Sequence, residues 1–260
     1  MRSDIGVSLK GVGMRFVVSR SDDRSIQGIF RSFRRRSEVR VVDALESINL
    51  EIGRGDRIGL IGANGAGKST LLKVMAGIYF PTSGEAVIRG RVSPLFEFAT
   101  GFEMELSGWE NIRIRGMLLG MKPREIEAKL GEIGDFSGLG EFLDFPVRTY
   151  SVGMFVRLAF SVSTAVNPQI LLLDEVIGAG DREFAGKAKA RMLKLIEHGE
   201  IVVLASHALA EVAEICSKVI WLDRGCVQLF GPSAEVIEAY EASADARGAV
   251  PDVPAVVVQA

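Results

Sequence analysis

Cysteine is scarce in this chain: Cys216 and Cys226 are the two in 260 residues. No disulfide framework and no CxxC metal or redox motif is therefore available, and such usage belongs to a reducing cytosol. Long apolar runs are missing too, since stretches such as Ile201–Ala205 and Ile170–Leu173 fall far short of the ~20 residues of a spanning helix. Met1-Arg2-Ser3-Asp4 opens no signal-peptide run, so the expectation is a chain that does not cross a membrane by itself. Neither sign of charge is in excess. Lys plus Arg at 31 nearly balances Asp plus Glu at 33, and no global field argues for a nucleic acid or an acidic polymer as partner. No internal repeat is visible. What is present is ordinary core material: a hydrophobic fraction of 48% and a charged fraction of 25% exclude disorder as the main state. At roughly 150 residues per domain the length points to one large α/β unit with an insertion. Glycine is in surplus, at 29 residues or about 11% against an average near 7%.

Alternating segments at Val7–Phe16 and Val41–Ile52 read as strands of an antiparallel layer. Between them, Ile26, Ile29, Phe30 and Phe33 recur at helical spacing and Arg31, Arg34, Arg35, Arg36 and Arg40 crowd the end, which predicts a basic amphipathic helix within 20–40. Buried strands of a parallel sheet follow at Arg57–Ile61, Ile170–Asp174 and Ile201–Ala205, with helices at Lys68–Ala76 and Arg182–His198. The stretch from Ser107 to Ala165 reads as a helical insertion: Ser107 caps a helix through Leu119, Pro123 starts one over Lys122–Ile133, and Ser151 caps a third through Ala165. Lys218–Asp223 and Cys226–Phe230 flank Arg224-Gly225 as a hairpin, and Ser233 caps a last helix to Ala244. The expected organisation is one domain over 1–246. Residues 1–96 and 166–246 form its α/β core, 97–165 a helical subdomain, and 247–260 a flexible tail.

The glycine surplus is partly spent on one loop. Gly62-Ala63-Asn64-Gly65-Ala66-Gly67-Lys68-Ser69 fits G-x-x-x-x-G-K-[ST], lies between a buried strand and a helix, and continues into Thr70. Positions without side chains let successive backbone N–H groups turn inward around a polyphosphate, while the helix N-terminus adds its positive end. Lys68 would reach the β- and γ-phosphates and the Ser69 hydroxyl would ligate Mg²⁺. By residue frequencies about one chain in a hundred of this length matches by chance, and an ordinary glycine turn is the alternative. Asp174, ending the strand Ile170–Asp174, supplies a metal-holding carboxylate, and the adjacent Glu175 can polarise a water for attack on the γ-phosphate. A helix N-cap pair is the plainer reading of these two acids. His207, just past the strand Ile201–Ala205, stands where a side chain can touch the γ-phosphate, or else it is structural.

In this order the motifs resemble the nucleotide-binding subunit of ABC (ATP-binding cassette) systems. Thr149-Tyr150-Ser151-Val152-Gly153-Met154 lies before a helix and upstream of the Asp174 strand, where that family keeps an LSGGQ-like signature; Ser and the second Gly remain. The resemblance, over roughly residues 5–240, implies an α/β fold with a P-loop NTPase (RecA-like) parallel core, an antiparallel β layer and a helical subdomain. It also implies ATPase activity with ATP and Mg²⁺, and a head-to-tail homodimer in which Ser151 and Gly153 of one subunit meet the γ-phosphate held by the other. Asp181 takes the role of the turn residue that speaks across the dimer, and Phe16 that of the aromatic stacking on adenine, with strand core as its alternative. Glu97 is the nearest candidate where the family places a glutamine that senses Mg²⁺ and the attacking water.

The Tyr-Ser-x-Gly-Met signature, the segment Gly101–Ile112 and the pairing of Asp174-Glu175-Val176 with Gly180-Asp181 look like the ABC subunits that export bacterial surface glycans. That subgroup implies a lipid-linked O-antigen, capsule or teichoic-acid-like cargo and a separate transmembrane permease, with the ATPase peripheral on the cytoplasmic face of the inner membrane. On this background Ile26–Arg36 is either a membrane- or permease-side element or a stripe packed on its own domain. Phe96–Glu105 is expected at the transmembrane partner. The rival reading is a soluble ABC ATPase that remodels or scaffolds a cytosolic complex without a permease.

Overall fold

The computed structural model describes residues 5–19, 39–96, 100–174 and 182–248. Among these, strands β1 (Gly6–Ser19), β2 (Val39–Gly53) and β4 (Ser83–Arg89) form an antiparallel sheet in the order β2-β1-β4. A second sheet contains β3 (Arg57–Ile61), β5 (Val92–Pro94), β6 (Ile170–Asp174), β7 (Ile201–Ala205), β8 (Lys218–Asp223) and β9 (Cys226–Pro232), in the order β5-β6-β7-β3-β8-β9. Its strands run parallel except β9, which pairs antiparallel with β8.

Burial on both faces explains why β6 and β7 are unbroken apolar runs. Ile170, Leu172, Ile201 and Val203 turn toward the cluster shared with the antiparallel sheet and helix α1 (Lys68–Met75). Leu171, Leu173, Val202 and Leu204 turn the other way, against α5 (Arg182–His198), α6 (Leu209–Ile215) and α7 (Ser233–Gly248). A third cluster belongs to the helical layer of α2 (Gly108–Leu118), α3 (Pro123–Ser137) and α4 (Val152–Ser163), where Ile112, Ile133 and Leu158 are fully buried.

Local chemistry fixes the helix starts in that layer. Ser107 accepts from the Glu110 amide and the Glu110 carboxylate accepts from the Ser107 amide, a reciprocal capping box. Pro123 occupies the first turn of α3, where its missing N–H costs nothing. Ser151 accepts from the Met154 amide to cap α4.

Several sequence expectations are corrected. Val39 and Arg40 pair within the β1–β2 ladder rather than in a helix; the rest of the expected amphipathic helix, Ile26–Arg36 included, lies outside the described residues. Ser233 begins α7 with its hydroxyl buried and unpartnered among the described residues, so it is not a side-chain cap. Helix α7 runs to Gly248, past the expected start of the tail, and α3 extends to Ser137. Strands β4 and β5 and helix α6 were not expected. Polar Ser83, Gly84 and Glu85 mask the pattern of β4, while β5 spans only three residues.

Candidate functional site

The order β6-β7-β3 sets the carboxyl ends of three parallel strands side by side, the edge where open α/β sheets hold ligands. The loop leaving β3, Asp174 at the end of β6 and His207 just beyond β7 all line one open cavity of about 520 Å³. That volume suits a small-molecule ligand, for which pockets run about 300–1,000 Å³.

The loop geometry follows from its glycines. Gly67 has φ 108° and is the residue on which α1 begins; a Cβ there would lie 2.7 Å from the Ala44 carbonyl oxygen. Gly62 has φ 148°, with the Leu222 carbonyl where a Cβ would project. With side chains absent, the loop seats against two neighbouring backbones. Gly225, in the β8–β9 turn, donates its amide to the Ala66 carbonyl at 2.9 Å and accepts from the Glu46 amide at 2.9 Å. This ties the loop to β2. Arg224 and Gly225 have φ 48° and 79°, the pair of positive values that a two-residue hairpin turn of the mirror-image type needs.

Lys68 is buried, 8% exposed. Its ammonium donates to the carbonyls of Gly62 at 2.7 Å and Ala63 at 3.1 Å, so the loop folds around its own cation. Asn64, Gly65, Ala66, Gly67, Lys68, Ser69 and Thr70 all line the cavity together with Asp174 and His207. Ser69 and Asp174 are hard oxygen donors of the type Mg²⁺ takes, and Mg²⁺ keeps further positions for phosphate and water, so the donor set fits that ion. Gly62 lies behind the lining and contributes its carbonyl to Lys68.

Other candidates fall elsewhere. Phe16 is half-buried, edge-on to Tyr79 with ring centroids 5.6 Å apart; it does not line the cavity, but its strand partner Val42 does. Ser151 and Gly153 are exposed at the start of α4, away from the lining. Glu97, Glu175 and Asp181 lie outside the described residues. Sequence reasoning missed Val42, Asp43 and Ala44, which line the cavity from β2. Asp43 is paired with Arg15 at 2.6 Å, and that hydrogen bond, then its charge, raises the Arg15 guanidinium above its ordinary value. No local motif marks these residues, because they reach the site through the β1–β2 register. The phenylalanines flanking the expected partner-facing segment are corrected in part. Phe96 is half-buried and lines the cavity. Phe102 packs edge-on to Phe155 at 5.1 Å, with the Arg115 guanidinium 5.4 Å from its ring.

Residues 45–178 match the model of the ABC transporter family. The chain belongs to that family. Its fold is the ATP-binding cassette: a dimeric post-hydrolysis cassette bound to ADP and Pi superposes with a TM-score of 0.63 at 23% identity, over 87% of this chain and 98% of that one. The O-antigen export system ATP-binding protein RfbB of Myxococcus xanthus is 42% identical over 90% of this chain and 56% of its own length. RfbE of Yersinia enterocolitica, also an O-antigen export ATP-binding protein, is 47% identical over 74% of this chain and 80% of its own. The teichoic acids export protein TagH of Enterococcus faecalis is 36% identical over 93% and 54%. The chain thus spans about half the length of the Myxococcus and Enterococcus relatives. Among the described residues no helix is long and apolar enough to cross a membrane.

Proposed function

We propose that this chain is the ATP-binding and ATP-hydrolysing subunit of an ABC exporter that moves a lipid-linked surface polysaccharide, of the O-antigen, capsule or teichoic-acid kind, across the bacterial inner membrane. The observation that carries the reading is the meeting of the phosphate loop, Asp174 and His207 in one cavity, joined to relatives that are export ATP-binding proteins at 36–47% identity. In this reading the Lys68 ammonium leaves its own loop carbonyls for the β- and γ-phosphates, and the amides at the start of α1 hold the anion. Ser69 and Asp174 would hold Mg²⁺, which would supply neutralisation of phosphate charge, and Glu97 is proposed as a further oxygen ligand. Glu175 orients and polarises the attacking water, and His207 touches the γ-phosphate. Phe16, beside Val42, takes the adenine end.

Ser151 and Gly153 act from a second copy in a head-to-tail homodimer, a role their exposure at the start of α4 leaves open to them. Asp181 acts across the same contact. ATP bridging the two copies favours closure, and loss of the γ-phosphate removes the bridge. The chain would sit on the cytoplasmic face, held by a separate transmembrane permease.

The test is to tag the protein in its native cell, solubilise the membranes gently and identify what co-purifies. A polytopic permease is the expected partner; soluble partners alone, with the protein absent from membranes, would overturn export and leave the ATPase. Glu175→Gln separates the chemistry from the partner, because it should trap an ATP-bound dimer with little turnover. Unchanged hydrolysis would remove Glu175 from its role.

A further inference from the structure

A second cavity, of about 660 Å³, opens between α3, the turn after α4 and α5, and shares no lining residue with the first. Its walls carry four permanent cations, Lys129, Lys187, Arg191 and Lys194, together with His198, against the single carboxylate of Glu132. The carboxylate is already committed, since Arg191 binds it at 2.8 Å while lying 4.2 Å over the ring of Phe136. Lys129 reaches across from α3 to the Ala165 carbonyl at 2.6 Å. His198 Nδ1 is 2.7 Å from the Lys194 carbonyl oxygen and so carries its hydrogen there, which leaves Nε2 for another partner.

A solvated basic helix face does not account for this. On α5, Lys187, Arg191 and Lys194 follow one another at four- and three-residue steps, which gathers three basic side chains on one helix face. A fourth cation arrives from a different helix into the same concavity. A concavity in which basic side chains outnumber the one carboxylate concentrates anions. The ligand chemistry is narrowed further by Phe136, whose ring carries Arg191 and stacks at 6.3 Å on Phe160, so it offers no platform for a base. Lysine ammoniums serve as mobile point charges for phosphoryl oxygens. We propose that this cleft is a second anion site, which takes a soluble small molecule bearing two or more phosphoryl groups and ties the helical layer to the parallel-sheet layer through α3 and α5.

The experiment is calorimetric titration of the full chain with tripolyphosphate, in magnesium-free buffer with ADP saturating the nucleotide cavity. One equivalent of tripolyphosphate should bind without displacing ADP. The double substitution Lys187→Glu with Lys194→Glu should weaken it by at least about tenfold, or roughly 1.4 kcal/mol, with ADP affinity unchanged. If charge reversal compromises folding, the neutral pair Lys187→Gln with Lys194→Gln replaces it, with retained ADP affinity as the folding control and a smaller loss of the same sign expected. Tripolyphosphate that binds only by displacing ADP, or binds both variants as it binds the parent, overturns the proposal.

Discussion

Gly67→Ala tests whether the phosphate loop is held by backbone geometry. The substitution adds one methyl group at a residue with φ 108°, a conformation L side chains rarely adopt. Strain of this kind costs on the order of 1–3 kcal/mol. The new Cβ would also stand 2.7 Å from the Ala44 carbonyl oxygen and 3.1 Å from Leu45 Cδ2, with the Gly225 Cα at 3.6 Å. The closest neighbour is a backbone oxygen on β2, so relieving the clash means moving β2 or the loop itself, a further cost of about 1–3 kcal/mol. The total of roughly 2–6 kcal/mol corresponds to a fall in Tm of about 5–20 °C for a chain this size. Gly65→Ala shares the positive φ, at 78°, but meets open space, so it should lose the strain part alone. Gly53→Ala, with neither feature, should melt with the parent. Thermal unfolding without nucleotide reads the series, and nucleotide titration of the folded variants should show Gly67→Ala as the weakest binder. A Gly67→Ala protein melting within about 2 °C of the parent would refute the account, since the loop would then not be pressed against the Ala44 carbonyl.

Lys68→Ala removes a charged donor worth about 1.5–3 kcal/mol in hydrogen bonds, so affinity for a fluorescent ATP analogue should drop between about 10- and 150-fold; unchanged affinity would remove Lys68 from the site. Ser107→Ala breaks the capping box of α2 and should cost about 1 kcal/mol in urea unfolding. The Ser107 hydroxyl, and then its amide, hold the Glu110 carboxyl below its ordinary value. Its stabilisation is therefore present above the ordinary carboxylate range and lost as pH falls through the lowered value, so the parent's advantage over Glu110→Gln should shrink in acid. Burial pushes the Cys216 thiol up to about 12, so iodoacetamide near neutral pH should label it only on unfolding; rapid labelling of the native protein would place it at the surface.

The parallel strands were the easiest elements to read. Arg57–Ile61, Ile170–Asp174 and Ile201–Ala205 appear with the boundaries their apolar runs predict, because burial on both faces leaves charged side chains only at strand ends, as at Arg57 and Asp174. The capped helices were nearly as clear, since Ser107, Pro123 and Ser151 each satisfy or excuse an orphan amide at a helix start. Strand β4 is hidden in the sequence because its first three residues, Ser83, Gly84 and Glu85, are exposed and only the short remainder, with Ala86 and Ile88, packs on the core. In the site, the phosphate loop, Asp174 and His207 were accessible to local motif and strand-end reasoning. Val42–Ala44 were not, because their place depends on how β2 registers against β1 and on Gly225 bridging Glu46 to Ala66. Those are tertiary facts that no local pattern encodes.

The buried lysine explains how a cavity made for polyanions is stable without one. A buried ammonium lacking partners is costly, yet Lys68 gives hydrogens to the Gly62 and Ala63 carbonyls and so stabilises the loop around the space a phosphate would enter. The same bonds set the affinity. An incoming phosphate must draw the ammonium from two carbonyl oxygens, so the net gain is the difference between charge-assisted and neutral-acceptor hydrogen bonds, smaller than the gross attraction. Gly62 makes that exchange possible, because a side chain there would strike the Leu222 backbone and push away the carbonyl on which Lys68 waits. Glycine in this loop thus serves the unliganded state as well as the liganded one. It places an acceptor under the cation when the anion is gone and leaves backbone amides uncovered when the anion arrives.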